Sequence, residues 1–147
     1  LPPVIGWTIA TGSISVEPII LFLIIFLWTP SHFWALSLYK SSDYKKAKIP
    51  MLPIISGTKT TKVNILFYAL MMLPAIIAPY FLNFASVFYL AISSMMSAYY
   101  VYLCLRLYRS KIASISNKIA RKIFIYSIFY LFFIFLILLI DNFLKII

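Results

Sequence analysis

Residues 18–39 run for 22 positions without a charged side chain, and the chain repeats the pattern over 63–82, 84–105 and 123–140. At 1.5 Å rise per residue, each run is long enough as a helix to cross roughly 30 Å of hydrocarbon. A segment in lipid must satisfy its own backbone hydrogen bonds, which makes the α-helix the local answer. The expected fold is all-α: a polytopic transmembrane helix bundle forming a single membrane domain over residues 1–147. Its helices are expected at about 18–39, 63–82, 84–105 and 118–140. Ser15-Val16-Glu17-Pro18 reads as the first start, with Pro18 at the first helical position where a missing N–H does no harm.

Composition closes off the alternatives. Apolar residues make up 64% of the chain and charged ones 11%, too few charges to coat a soluble globule. The same hydrophobicity excludes disorder. A net charge of +10 is often a nucleic-acid signature, but this excess sits between apolar runs. The partner it implies is membrane lipid, not nucleic acid. Cys104, the single cysteine, lies inside an apolar run and offers neither a disulfide nor a thiolate metal site. The opening Leu1-Pro2-Pro3 reads as the interior of a longer chain.

The basic residues set the orientation. Lys40, Lys45, Lys46, Lys48, Lys59 and Lys62 lie between the first two helices. Arg106, Arg109, Lys111, Lys118, Arg121 and Lys122 lie between the last two, and Lys145 alone falls elsewhere. A four-helix topology puts both basic segments on one side, which the positive-inside rule makes cytoplasmic. Loops 40–62 and 106–122 are therefore expected inside, and Asn83 outside.

Three carboxylates exist in the chain. Glu17 and Asp141 sit at helix ends on the outer side and read as caps or interface anchors. Asp43 lies among lysines in the first basic loop, where a carboxylate and amines suit a Mg²⁺-bridged diphosphate. A solvated counter-charge among positive-inside lysines is the plainer reading. His32, the lone histidine, lies seven residues before Tyr39, so roughly 10 Å inside the membrane. An ionisable group at that depth points to a functional site in the bundle interior; a histidine bonded to a neighbouring helix is the plainer alternative. Trp28, His32, Tyr39 and, if the helix runs on, Asp43 share one helical face. Pro30 is expected to kink that helix. The basic residues of the second loop suit phosphate or propionate groups, or simple anchoring at the membrane surface. Ser93 with Ser97, and Ser94 with Ala98, predict a close helix contact. Tyr99, Tyr100 and Tyr102 read as an interfacial belt.

Several strings resemble one family, the protoheme IX farnesyltransferases (heme O synthases) of the wider intramembrane UbiA-type prenyltransferase superfamily. Pro2-Pro3-Val4-Ile5-Gly6-Trp7, with Thr11-Gly12, is similar to the family's Pro-Pro-x-x-Gly-Trp stretch and the Thr-Gly after it. Trp28-Thr29-Pro30-Ser31-His32-Phe33-Trp34-Ala35-Leu36 resembles its Trp-Thr-Pro-Pro-His-Phe-Trp-Ala-Leu signature, with Ser31 in place of a proline. Asp43-Tyr44, Ala47, Ile49-Pro50-Met51-Leu52-Pro53 and Gly57 resemble its Asp-Tyr-x-x-Ala-Gly-x-Pro-Met-Leu-Pro loop, with Lys48 in place of a glycine. Ala120-Arg121-Lys122, Phe124, Ser127 and Tyr130 look like the start of its last helix.

The resemblance implies the last four helices of a nine-helix fold, lacking the N-terminal half that carries the first aspartate-rich motif. It implies transfer of a farnesyl group from farnesyl diphosphate to a vinyl group of heme b, giving heme O, in a bacterial inner membrane. Under it Asp43 becomes a Mg²⁺ ligand and catalytic group, and His32 faces the porphyrin or the allylic cation. Lys40, Tyr44, Lys46, Lys62, Trp28, Trp34 and Arg121 become substrate contacts. Two rivals stay open: a prenyltransferase acting on a quinone ring, and a non-catalytic membrane fragment or split subunit. With Asp43 the one acid on its basic side, the isolated chain is expected to be inactive.

Overall fold

The computed structural model describes the backbone of residues 2–146 and the side chains of residues 2–144. Leu1 and the side chain of Lys145, whose outer placement the charge pattern predicts, lie outside the described residues. Among the described residues seven helices follow one another: α1 (Pro2–Thr11), α2 (Val16–Tyr39), α3 (Ser41–Lys46), α4 (Leu52–Ile55), α5 (Gly57–Phe81), α6 (Val87–Arg109) and α7 (Ala113–Ile146). Four of them, α2, α5, α6 and α7, are long and apolar enough to cross a membrane. The chain is an integral membrane protein.

The long helices overrun their apolar cores. α5 begins six residues before the uncharged run, and α6 continues to Arg109. Hydropathy marks the stretch immersed in hydrocarbon, whereas the backbone ladder continues into the interface. α2 begins at Val16, so Pro18 stands third in the helix rather than first. It stays one helix through Pro30, with the Thr29 and Ser31 hydroxyls donating back to the Ile25 and Trp28 carbonyls. The face argument does not carry to Asp43: α2 ends at Tyr39, the chain turns at Lys40, and it re-forms from Ser41 as α3.

α2 packs on α5 and α7, and α6 packs on the same two, so α2 and α6 stand diagonally across the bundle. Tyrosines fill the middle. The fully buried Tyr100 of α6 crosses the diagonal to Ser31 Oγ at 2.8 Å and stacks on Tyr130 of α7. Tyr130 pairs with Ser97 at 2.8 Å. Tyr100 is thus a core residue rather than part of an interfacial belt, whereas Tyr99 and Tyr102 are exposed. Ser93 and Ser97 are buried as expected of a close contact, but Ser94 and Ala98 lie on the outer face.

Two tight turns explain what the loop residues do. Ile49 N–H donates to the Tyr44 carbonyl and Lys48 N–H to the Lys45 carbonyl, at 3.0 and 3.2 Å, closing α3 with Lys48 at φ 54°. That is a Schellman cap, whose left-handed position favours glycine. The family-like glycine replaced by Lys48 therefore has a backbone reason. α5 closes in the same way with Asn83 at φ 63°, a residue that tolerates this region better. At the opposite end from the lysines, the Asp141 carboxylate of α7 accepts from Ser86 N–H at 2.7 Å and from the Ser86 hydroxyl. Ser86 is the N-cap of α6, so Asp141 is the anchor its position predicted.

Candidate functional site

α2 and α7 meet along a seam that carries an apolar groove and a polar cleft. The groove, about 680 Å³, is lined by Ile25, Trp28 and His32 of α2 and by α7 residues from Ile128 to Leu139. The cleft, about 530 Å³, lies at the basic end between Tyr39, Lys40, Ser42 and Asp43 on one side and Arg121 on the other. Both are built by helical spacing. On α7, Arg121, Phe124, Ile128, Leu131, Phe135 and Leu139 recur every three or four residues and form one stripe along the seam.

His32 is the polar group of the groove, 8% exposed. Its Nδ1 lies 2.6 Å from Ser127 Oγ, and Trp28 Nε1–H donates to the Ser127 carbonyl at 2.9 Å. Ser127 Oγ also lies 2.7 Å from the Phe124 carbonyl, which can only accept. The single hydroxyl proton goes there, so His32 Nδ1–H donates to Ser127 and Nε2 carries the lone pair. The imidazole stacks on Trp28 at 4.3 Å and on Phe124 at 4.7 Å between ring centroids. Phe124 in turn lies 5.9 Å from Tyr39, which lines the cleft. An aromatic path thus links the histidine to the carboxylate cleft.

Asp43 is 58% exposed at its side chain and pairs with Lys40 Nζ at 3.1 Å. Ser42 Oγ–H reaches its other oxygen at 3.4 Å. The hydrogen bond and charge of Lys40, helped by the Lys46 charge, hold the Asp43 carboxyl below the usual carboxylate range. It is an ionised oxygen donor, but among the described residues no three acidic, histidine or cysteine side chains cluster as metal ligands.

The structure brings together some of the sequence-predicted residues and separates others. Trp28 and His32 share the groove, while Lys40, Asp43 and Arg121 share the cleft. Lys46 ends α3 exposed, within electrostatic reach of Asp43, and Tyr44 is half-buried in the same helix outside the cleft lining. Trp34 faces the other way, edge-on to Tyr68 of α5 at 5.3 Å. It lies six residues from Trp28, well round the helix. Lys62 is also apart: its amine donates to the Ser110 carbonyl at 2.8 Å and to Ser116 Oγ at 2.7 Å, tying α5 to the α6–α7 turn. Ser127 gained its importance only in three dimensions. The signals available were a lone serine inside a span of Ile, Phe and Tyr, and its place in the family-like start of the last helix.

The UbiA prenyltransferase family profile matches residues 1–128. The chain belongs to this family. It is similar to the protoheme IX farnesyltransferase of Pelagibacter ubique, 61% identical over 97% of this chain and 47% of that protein. The protoheme IX farnesyltransferases of Parvibaculum lavamentivorans and Bartonella henselae are each 46% identical, over 96% and 97% of this chain and 44% and 46% of theirs. The chain therefore spans about half the length of the curated relatives it matches. No solved structure matches it.

Proposed function

We propose that this chain contributes the α2–α7 seam of an enzyme that moves a farnesyl group from farnesyl diphosphate to a vinyl group of heme b, giving heme O. One observation carries the reading: an apolar groove holding a single imidazole runs toward a cleft holding cations and one ionised carboxylate. A lipid-tailed diphosphate needs that polarity. The names of the relatives agree with it.

In this reading Lys40, Lys46 and Arg121 neutralise the diphosphate as it leaves, charge stabilisation being the largest service a protein renders such a step. Asp43, exposed, ionised and flanked by the Ser42 hydroxyl, fits as one arm of a Mg²⁺ site, since Mg²⁺ is commonly held by one or two carboxylates plus substrate phosphates. Bound there, the ion would supply further neutralisation of the phosphate oxygens. Trp28 and Phe124 offer aromatic faces to the allylic cation, and the groove excludes water until the vinyl carbon attacks. Water then adds to the carbocation left beside the porphyrin ring and loses a proton, which completes heme O. His32 Nε2 is turned to the acceptor end. The first aspartate-rich motif comes from an N-terminal half, and the basic end faces the cytoplasm of a bacterial inner membrane.

The test joins this chain to the N-terminal half of the Pelagibacter relative and supplies membranes with farnesyl diphosphate and heme b or, separately, a quinone-precursor phenol. Heme O, detected by mass, is expected from the first mixture alone. Prenylated phenol in place of heme O would hand the reading to the quinone rival. A folded, inserted chimera that makes neither would favour a non-catalytic fragment.

A further inference from the structure

A second cationic cleft lies away from the α2–α7 seam and shares no lining residue with it. Lys59 and Lys62 of α5 face Arg109 and Lys111 across about 570 Å³ at the basic end of the bundle. None of the chain's carboxylates lines it, and the ion pair recorded among the described residues is Lys40–Asp43 elsewhere. Lys62 is half-buried, and its recorded hydrogen-bond partners are the neutral oxygens of Ser110 and Ser116. These bonds hold the α6–α7 turn against α5, so Arg109 and Lys111 are fixed opposite Lys59 before any ligand arrives. Four positive charges converge there, and among the described residues no carboxylate lines the cleft.

An apolar trough lies on the same pair of helices, about one turn along α6 from this cleft. Leu73 and Ile77 of α5 and Ser94, Ala98, Val101 and Leu105 of α6 line a groove of about 490 Å³. Positions 94, 98, 101, 105 and 108 of α6 repeat at spacings of four and three, which is one helical face, and Tyr108 of that face lines the cationic cleft. On α5, Leu73 lies eleven residues from Lys62, about three turns, and so on the same side. From Leu105 to Ser94 the trough runs about 16 Å, close to half of a roughly 30 Å hydrocarbon core. Ser94 and Ala98, small and turned outward, hollow its floor.

We infer that this α5–α6 face is a binding site for one anionic phospholipid. Its phosphate sits between Lys59, Arg109 and Lys111, and one acyl chain lies in the trough. Basic pockets between helices at the membrane surface take anionic headgroups, and only a molecule joining that head to an apolar tail matches both halves.

The test uses the purified 147-residue chain in nonionic detergent, with bound lipid counted by native mass spectrometry. Dioleoyl phosphatidylglycerol is expected to occupy one site per chain at least tenfold more tightly than dioleoyl phosphatidylcholine. Joint Lys59→Gln, Arg109→Gln and Lys111→Gln substitution should abolish that preference, while joint Lys45→Gln, Lys118→Gln and Lys122→Gln substitution, which removes equal charge elsewhere, should keep it. Ala98→Phe should weaken phosphatidylglycerol about tenfold by filling the trough. In the unaltered protein, a dihexanoyl analogue and inorganic phosphate should compete poorly. Equal loss in both triple variants would reduce the effect to general surface charge and overturn the proposal. Effective competition by inorganic phosphate, or indifference to Ala98→Phe, would overturn it in favour of a free-anion site.

Discussion

His32 Nδ1 and Ser127 Oγ stand 2.6 Å apart across the α2–α7 seam. Because the Ser127 proton is directed to the Phe124 carbonyl, this contact selects the ring tautomer and aims the Nε2 lone pair. Ser127→Ala removes the acceptor and leaves a buried N–H unpaired, a penalty of about 1–3 kcal/mol. In the chimeric enzyme, heme O formation is expected to fall roughly tenfold with little change in the KM for farnesyl diphosphate. A change confined to that KM would place His32 at the donor end instead.

Asp43 and His32 should separate by their response to metal. Asp43→Asn is expected to weaken turnover in a way that added Mg²⁺ partly recovers, because the defect lies in holding the ion. His32→Ala should impair heme binding or transfer and ignore Mg²⁺. The depressed Asp43 pKa keeps the carboxylate charged as pH falls, so the Mg²⁺ response should be flat from pH 8 down to about pH 5. Rescue of the histidine variant by Mg²⁺ would reverse the assignment of the two ends.

Lys48 occupies the left-handed position of the cap that ends α3. An L-residue there is disfavoured by roughly 1–2 kcal/mol. Lys48→Gly should therefore stabilise the chain by up to about 1 kcal/mol, glycine's greater unfolded-state entropy offsetting part of the gain. Lys48→Val should destabilise it. Reversible unfolding of both variants in detergent measures the two signs.

Asp141 supplies the contact that fastens α7 to the start of α6. Asp141→Ala leaves the half-buried Ser86 N–H without its charged acceptor, and a loss of about 2 kcal/mol is expected from such a deletion. The midpoint of thermal unfolding should drop while the α2–α7 groove keeps its ligand affinity. Unchanged unfolding would mean that the anchor contributes nothing to stability.

Topology can be read by thiol labelling in intact cells. Cys104 is buried in α6, so background should be low. A membrane-impermeant maleimide should modify Asn83→Cys from outside and spare Ser42→Cys. The opposite pattern would invert the orientation drawn from the lysines and arginines.

Much of this was legible along the chain. Spans of 18 or more uncharged residues dictate helices, because lipid offers the backbone no other partner, and the one histidine and the acid among lysines stand out by their cost in such a setting. Helix limits were less legible, since Lys59, Lys62, Arg106 and Arg109 belong to helices that run past the hydrocarbon. The folding of the Asp43 loop into α3 and α4 was not legible either, because short capped turns leave only a faint pattern.

Which neighbours meet was decided by tertiary packing. Spacing places Trp28 and His32 on one face of α2, but only the docking of α7 supplies Ser127, Phe124 and Arg121 to that face. The same docking turns Trp34 toward α5, and the α6–α7 turn claims the Lys62 amine. A helix apolar on all sides carries no moment to say which side faces protein and which faces lipid. The sequence therefore determined the helices and their polarity along the membrane normal. Their rotation about their own axes, and with it the composition of the site, came from side-chain packing between elements far apart in the chain.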